Sequence, residues 1–166
     1  MRCSKNNSNM TPAEFKTLRE SLGLTAQWVA DHAGVKLRTV QYWESGRMNV
    51  PEGVSDMLFS IDKKLEASVA QAVIFIHDFV KKCEAPAVCA FVRYRTDADL
   101  WRFRPDMKPL PATTHAVMLA RLRRALAAWD IPTAIEYMVP DDYLAWLAGR
   151  PDTEAERAAW AAALRN

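Results

Sequence analysis

Phe15, Leu18 and Leu22 stand three and four residues apart, the spacing that puts side chains on one face of an α-helix. Thr11-Pro12-Ala13-Glu14 precedes them, with Thr as N-cap, Pro at the first helical position and Glu at the third, and Gly23 closes the run. A second helix opens at Thr25, carries Trp28, Val29, Ala30 and Ala33, and stops at Gly34. A third opens near Lys36, places Val40 and Trp43 on one face, and stops before Gly46. Val50-Pro51-Glu52 opens a further helix with Val54, Met57, Leu58, Ile61 and Leu65 as its apolar stripe. Residues 69–80 are apolar again, either as a continuation of that helix or as a separate one.

The pattern then changes. Residues 87–95 (AVCAFVRYR) alternate in part and are rich in Val, Phe and Tyr, so they read as a strand. A loop holding Pro105, Pro109 and Pro111 follows. Thr113 or Thr114 then caps a periodic helix through Val117, Leu119, Leu122, Leu126 and Trp129. Residues 133–139 (TAIEYMV), between Pro132 and Pro140, read as a second strand. Asp141 starts a short helix and Thr153 a last one. Strand, crossover helix and strand imply a small α/β module whose two strands are parallel neighbours. A two-stranded sheet is too small to stand alone, so this module is expected to need a partner surface.

Composition narrows the picture. Half of the 166 residues are hydrophobic, enough for a packed core without disulfides or metal. Formal net charge is +2, from 22 basic and 20 acidic residues, so any polyanion must be met by a local patch. Cys3, Cys83 and Cys89 are odd in number and lack metal-type spacing, and are read as reduced thiols of a cytoplasmic protein. No run approaches 18 consecutive apolar residues, and the polar start RCSKNNSN has no apolar signal core, so no membrane association is expected.

Within the first part, Ala30, Gly34, Val40 and Trp43 are separated by four, six and three residues. A helix-turn-helix needs this pattern for steric reasons. The residue at the helix crossing must be small, the turn needs a positive backbone angle, and two apolar residues must seat the following helix on the core. Val29 and Val35 fill the remaining inward positions. The stretch LTAQWVADHAGVKLRTVQYWESGR resembles the phage repressor (Cro-type, XRE) helix-turn-helix domains, and VQYWESGRMNVP looks like the YdiL-like and anti-CRISPR-associated regulators. The specific resemblance covers roughly residues 11–66; over the remainder it rests on organisation alone.

The helix and strand patterns together with the resemblance imply an α+β, mainly α protein. A flexible tail over residues 1–10 would precede a five-helix, lambda-repressor-like helix-turn-helix domain over 11–66. A connecting helix would follow over 67–84, then a small two-stranded α/β dimerisation module over 85–166. It also implies a homodimer that binds a palindromic double-stranded DNA operator and represses its own operon. In that family an Arg of the first helix pairs with a Glu near the end of the third, and Arg19 and Glu44 hold the matching positions. The residue chemistry agrees with a DNA surface. Lys36, Arg38, Gln41 and Tyr42 lie outward on the third helix, where Arg reads guanine and Gln reads adenine bidentately. Thr25 and Gln27 at the start of the second helix, and Arg47 and Asn49 after the third, are candidate phosphate contacts. Glu44 is the only acid between Lys36 and Asn49.

Other readings stand beside these. Arg38, Gln41 and Tyr42 also fit a solvated helix face. Trp28, where relatives carry a polar residue, fits a cover for the C-terminal module or a dimer partner, and equally a wider core. His32, His77 and His115 are scattered and read as structural. Asp97, Asp99 and Asp106 lie among Arg93, Arg95, Arg102 and Arg104 and read as a charge-balanced loop rather than a metal site. Arg121, Arg123 and Arg124 read as the exposed side of their helix. An antitoxin using the same DNA-binding domain while its C-terminal half masks a toxin is the alternative. No nucleophile–base pair, glycine-rich phosphate loop or metal spacing occurs, so neither an enzyme nor a cofactor is expected.

Overall fold

The computed structural model describes residues 10–83 and 88–165. They fall into two compact units divided between Lys64 and Leu65. The chain is mainly helical, with one parallel two-stranded sheet. Of the expected tail only Met10 is described, and it is buried in the core.

The first unit is built from α1 (Pro12–Ser21), α2 (Ala26–Ala33), α3 (Leu37–Glu44) and the opening turns of α4 (Glu52–Cys83). Thr11 and Glu14 form a reciprocal capping box on α1: the Thr11 hydroxyl accepts from the Glu14 N–H at 3.2 Å, and the Glu14 carboxylate accepts from the Thr11 N–H at 2.7 Å. That second bond holds the Glu14 carboxyl below its ordinary pKa. Thr25 caps α2 by accepting from the Trp28 N–H at 3.0 Å. Phe15 from α1 meets Trp43 from α3 edge-on, with ring centroids 6.0 Å apart. Val29, Ala30 and Val40 close the space around them without solvent exposure. Each large apolar side chain buried in this way contributes roughly 1.5–3 kcal/mol.

Among the described residues this region holds four helices rather than the five expected, and no separate connecting helix follows. The reason is visible in the sequence: from residue 54 to 83 there is neither Gly nor Pro to break the backbone ladder, so one 32-residue helix forms.

The second unit contains β1 (Cys89–Arg93), α5 (Asp97–Phe103), a 3-10 turn (Pro105–Met107), α6 (Ala112–Ala127), β2 (Thr133–Tyr137), α7 (Pro140–Leu147) and α8 (Glu154–Ala163), together with the later part of α4. The strands pair in parallel, with Cys89 opposite Thr133, Phe91 opposite Ile135 and Arg93 opposite Tyr137. Ala90, Val92 and Ala134 turn inward, and α8 packs on β1 while α6 packs on both strands. The chain's own helices therefore supply the cover that so small a sheet needs. Tyr143 lies at the centre without solvent exposure, edge-on to Phe103 and Trp160. Its hydroxyl donates to the Asp152 carboxylate at 2.6 Å, which also accepts from Arg157.

Two expectations are corrected here. The charged stretch before the prolines is not a loop throughout. Thr96 caps α5, accepting from the Asp99 N–H at 3.1 Å, and Leu100 and Phe103 anchor it. Nor does α6 begin at a threonine cap. It starts at Ala112, whose N–H donates to the Asp97 carboxylate at 2.6 Å, so the cap comes from another helix and Thr114 is buried inside the first turn.

Candidate nucleic-acid interface

The geometry of α2 and α3 follows from the turn between them. Gly34 takes φ +66°, and the Val35 N–H donates back to the Ala30 carbonyl at 2.9 Å, ending α2. Lys36 becomes the N-cap of α3 without a side-chain hydrogen bond to the helix. Val40 and Trp43 point into the core, which turns Arg38 and Gln41 outward and leaves Tyr42 half-exposed. At the far end Gly46, at φ +75°, reverses the chain. The Tyr42 carbonyl then accepts from the N–H groups of Arg47 (3.0 Å) and Met48 (3.2 Å) and from the Ser45 hydroxyl (3.2 Å).

This reversal brings Arg47 back beside α3. The Tyr42 ring lies against two cations: the Arg38 guanidinium carbon is 5.3 Å from the ring centroid and that of Arg47 is 5.5 Å. Arg38 also donates through Nε to the Tyr42 hydroxyl. Arg38, Gln41, Tyr42, Ser45 and Arg47 together line a shallow concavity of about 370 Å³. Ser45 joins the candidates of the sequence in this lining, because the turn at Gly46 folds the chain back over the end of α3.

The other candidates are placed differently. Lys36 and Asn49 are exposed but outside that lining, as are Thr25 and Gln27 at the start of α2. The Thr25 hydroxyl oxygen serves the α2 cap, and the Gln27 amide donates to Asp31 at 2.6 Å along the same helix. Trp28 is half-buried and stacks on His32 at 3.7 Å between ring centroids.

Behind the surface, the structure brings Arg19 and Glu44 together. Arg19 Nε donates to Glu44 Oε1 at 2.7 Å, and an Nη group of Arg19 stands 2.7 Å from the same oxygen. The other Nη group donates to the Leu24 carbonyl at 2.7 Å. Glu44 is thus neutralised from below, and the outward face keeps Lys36, Arg38 and Arg47 with no opposing carboxylate between residues 36 and 49. Chemically the face offers guanidinium forks, one amide that both donates and accepts, and a phenol. These are groups for reading a hydrogen-bonded, negatively charged partner.

The chain belongs to the family described as a domain of unknown function, DUF4447, whose model matches residues 3–164. It is also similar to the Aca2 repressor of Pectobacterium phage ZF40, with 38% identity over 68 residues. That match covers 34% of this chain and 59% of the phage repressor, so the chain spans somewhat over half of the relative's length. Among the described residues no helix is long and apolar enough to cross a membrane.

Proposed function

We propose that this protein is a sequence-specific transcriptional regulator, a dimeric repressor that docks α3 of its helix-turn-helix in the major groove of a palindromic operator. The observation that carries the reading is the outward face of α3, where Arg38, Gln41 and Tyr42 stand beside Arg47 with their only local acid tied down by Arg19. Similarity to a phage repressor supports it. Arg38 and Gln41 would read base edges, with Tyr42 and Lys36 alongside. Arg47 and Asn49, with Thr25 and Gln27, would contact phosphates and set the register. A single surface of this size makes few contacts, so two linked half-sites one helical turn apart are required for tight binding. The reading is of a cytoplasmic binding protein without a catalytic role.

The test is a gel-shift against DNA upstream of the protein's own gene, followed by a footprint. A palindromic protected site is expected, with affinity falling steeply as salt rises. Normal operator binding by both Arg38→Ala and Gln41→Ala would sink the recognition-helix assignment.

A further inference from the structure

In the second unit, well away in sequence from α3, a groove of about 560 Å³ runs between α6 and the outer face of the sheet. Its floor is apolar because α6 presents small residues there: Ala116, Ala120 and Ala127, with Leu119 and Ile135 beside them. Its walls carry Arg93 from β1 and Arg123 and Arg124 from α6, with Tyr137 at the end of β2.

The arginines of this unit divide by their partners. Arg104, Arg121, Arg150, Arg157 and Arg165 each hold a carboxylate at 2.6–3.1 Å. Among the described residues, Arg93, Arg95, Arg102, Arg123 and Arg124 hold no carboxylate, and of these Arg93, Arg123 and Arg124 line the groove. Glu136, the one acid in the lining, is engaged by Arg165 at 3.1 Å. The Tyr137 ring meanwhile braces two guanidinium groups, Arg95 at 3.8 Å and Arg93 at 5.6 Å from its centroid. The three exposed guanidinium groups border one apolar trough, so an anion seated there would meet positive charge from both β1 and α6.

From this arrangement we infer that the groove is a binding site for a free nucleotide, a nucleoside di- or triphosphate. The phosphates would sit on Arg93, Arg123 and Arg124, and the planar base on the alanine-lined floor. The volume lies in the range of small-molecule sites, whose usual composition is an apolar lining with a few convergent polar groups. Guanidinium forks suit phosphate oxygens by geometry as well as by charge. A bare inorganic anion would leave the apolar trough unused. The site stands on different residues from the α3 surface, so it survives or fails independently of the proposed DNA contacts.

Calorimetric titration of the full-length protein with ATP and with GTP tests this, using tripolyphosphate, adenosine and a single-stranded oligonucleotide as comparisons. Saturable one-to-one binding of at least one nucleotide is expected. Binding should weaken at least tenfold in Arg123→Ala/Arg124→Ala, which removes the phosphate contacts. It should weaken similarly in Ala120→Leu, which fills the floor from an exposed helix position. Tripolyphosphate and adenosine should each bind at least tenfold more weakly than the nucleotide. Absence of nucleotide binding, equal affinity in both variants, tripolyphosphate as tight as the nucleotide, or binding of the oligonucleotide alone would each overturn the assignment. Circular dichroism melts of the two variants establish that a loss of binding is not a loss of fold.

Discussion

Removing Glu44 leaves the Arg19 guanidinium in the first unit with its main partner gone. The pair is well shielded: the Arg19 side chain is 10% exposed and that of Glu44 15%. Deleting one member of a buried pair usually costs about 3–5 kcal/mol, because the survivor keeps its desolvation penalty. Arg19 retains the Leu24 carbonyl at 2.7 Å and the more exposed Glu20 at 3.2 Å, which places Glu44→Ala at about 2–3 kcal/mol. Arg19→Met should cost a similar amount, since it strips a charged donor from both Glu44 and the Leu24 carbonyl. The double variant Arg19→Met/Glu44→Leu removes both charges and refills the space. It should recover about 2 kcal/mol relative to the sum of the single changes. Hydrogen exchange read by mass spectrometry along a urea series, on peptides covering α1 and α3, reports this unit separately from the other. If the two single effects add to within about 0.5 kcal/mol, the pair is uncoupled and its role in fixing α1 to α3 is refuted.

Further outcomes follow from the same geometry. Arg47→Ala should weaken binding to all DNA sequences about equally and lower the salt slope by about one, whereas Arg38→Ala should relax preference at one base pair; both are read by gel-shift against operator and scrambled duplexes. Gly34→Ala should cost about 1–2 kcal/mol in denaturant titration from its left-handed backbone alone, since an added Cβ meets nothing within 4 Å; a loss above 4 kcal/mol would mean that space, not backbone angle, is limiting. Ala148 ends α7 in the left-handed conformation at φ 50°, so Ala148→Gly should raise the melting temperature, corresponding to about 1 kcal/mol.

His115 gives a pH dependence. Burial, reinforced by the Arg104, Arg157 and Arg93 guanidinium groups and opposed by Asp106, holds its imidazole at about 4 against an ordinary 6.5. The unfolded chain takes up this proton first. The contribution of a neutral, buried His115 is therefore complete above pH 6.5 and is lost progressively as pH falls toward 4, on the order of 3 kcal/mol in all. Thermal melts at pH 7 and pH 5 should differ in the wild type and differ less in His115→Phe. An equal difference in both would assign the effect elsewhere.

The sequence carried some of this architecture openly and hid the rest for identifiable reasons. The starts of α1 and α2 were readable because their caps are local, Thr11 with Glu14 and Thr25 before Trp28. The parallel pairing of β1 and β2 was readable because a crossover helix allows no other short route. The fusion of two apolar stretches into α4 was left open by periodicity, since a helix and its continuation have the same period. The helix α5 is faint in the sequence because only Leu100 and Phe103 mark its buried side within a charged run, although Thr96 and Asp99 stand at capping distance. At the α3 surface, sequence could name Arg38, Gln41, Tyr42 and Arg47 but not the bracing of two arginines on one ring. That depends on the loop reversal at Gly46, a tertiary event. The groove between α6 and the sheet was invisible for the same reason: Arg93 and Arg123 are 30 positions apart and meet only through the fold.

Asp97 shows what such tertiary dependence means for the modularity of the chain. Its carboxylate closes the first turn of α6 from 15 positions upstream, on a helix with its own cap. The residues of α6 excised as a peptide would lose that closure and begin to fray at Ala112. Grafted behind a foreign strand, they would need a new acceptor in the same place. The start of α6 is therefore set by α5, and recombination or truncation that separates Asp97 from Ala112 loosens the first turn of a helix whose own sequence has not changed.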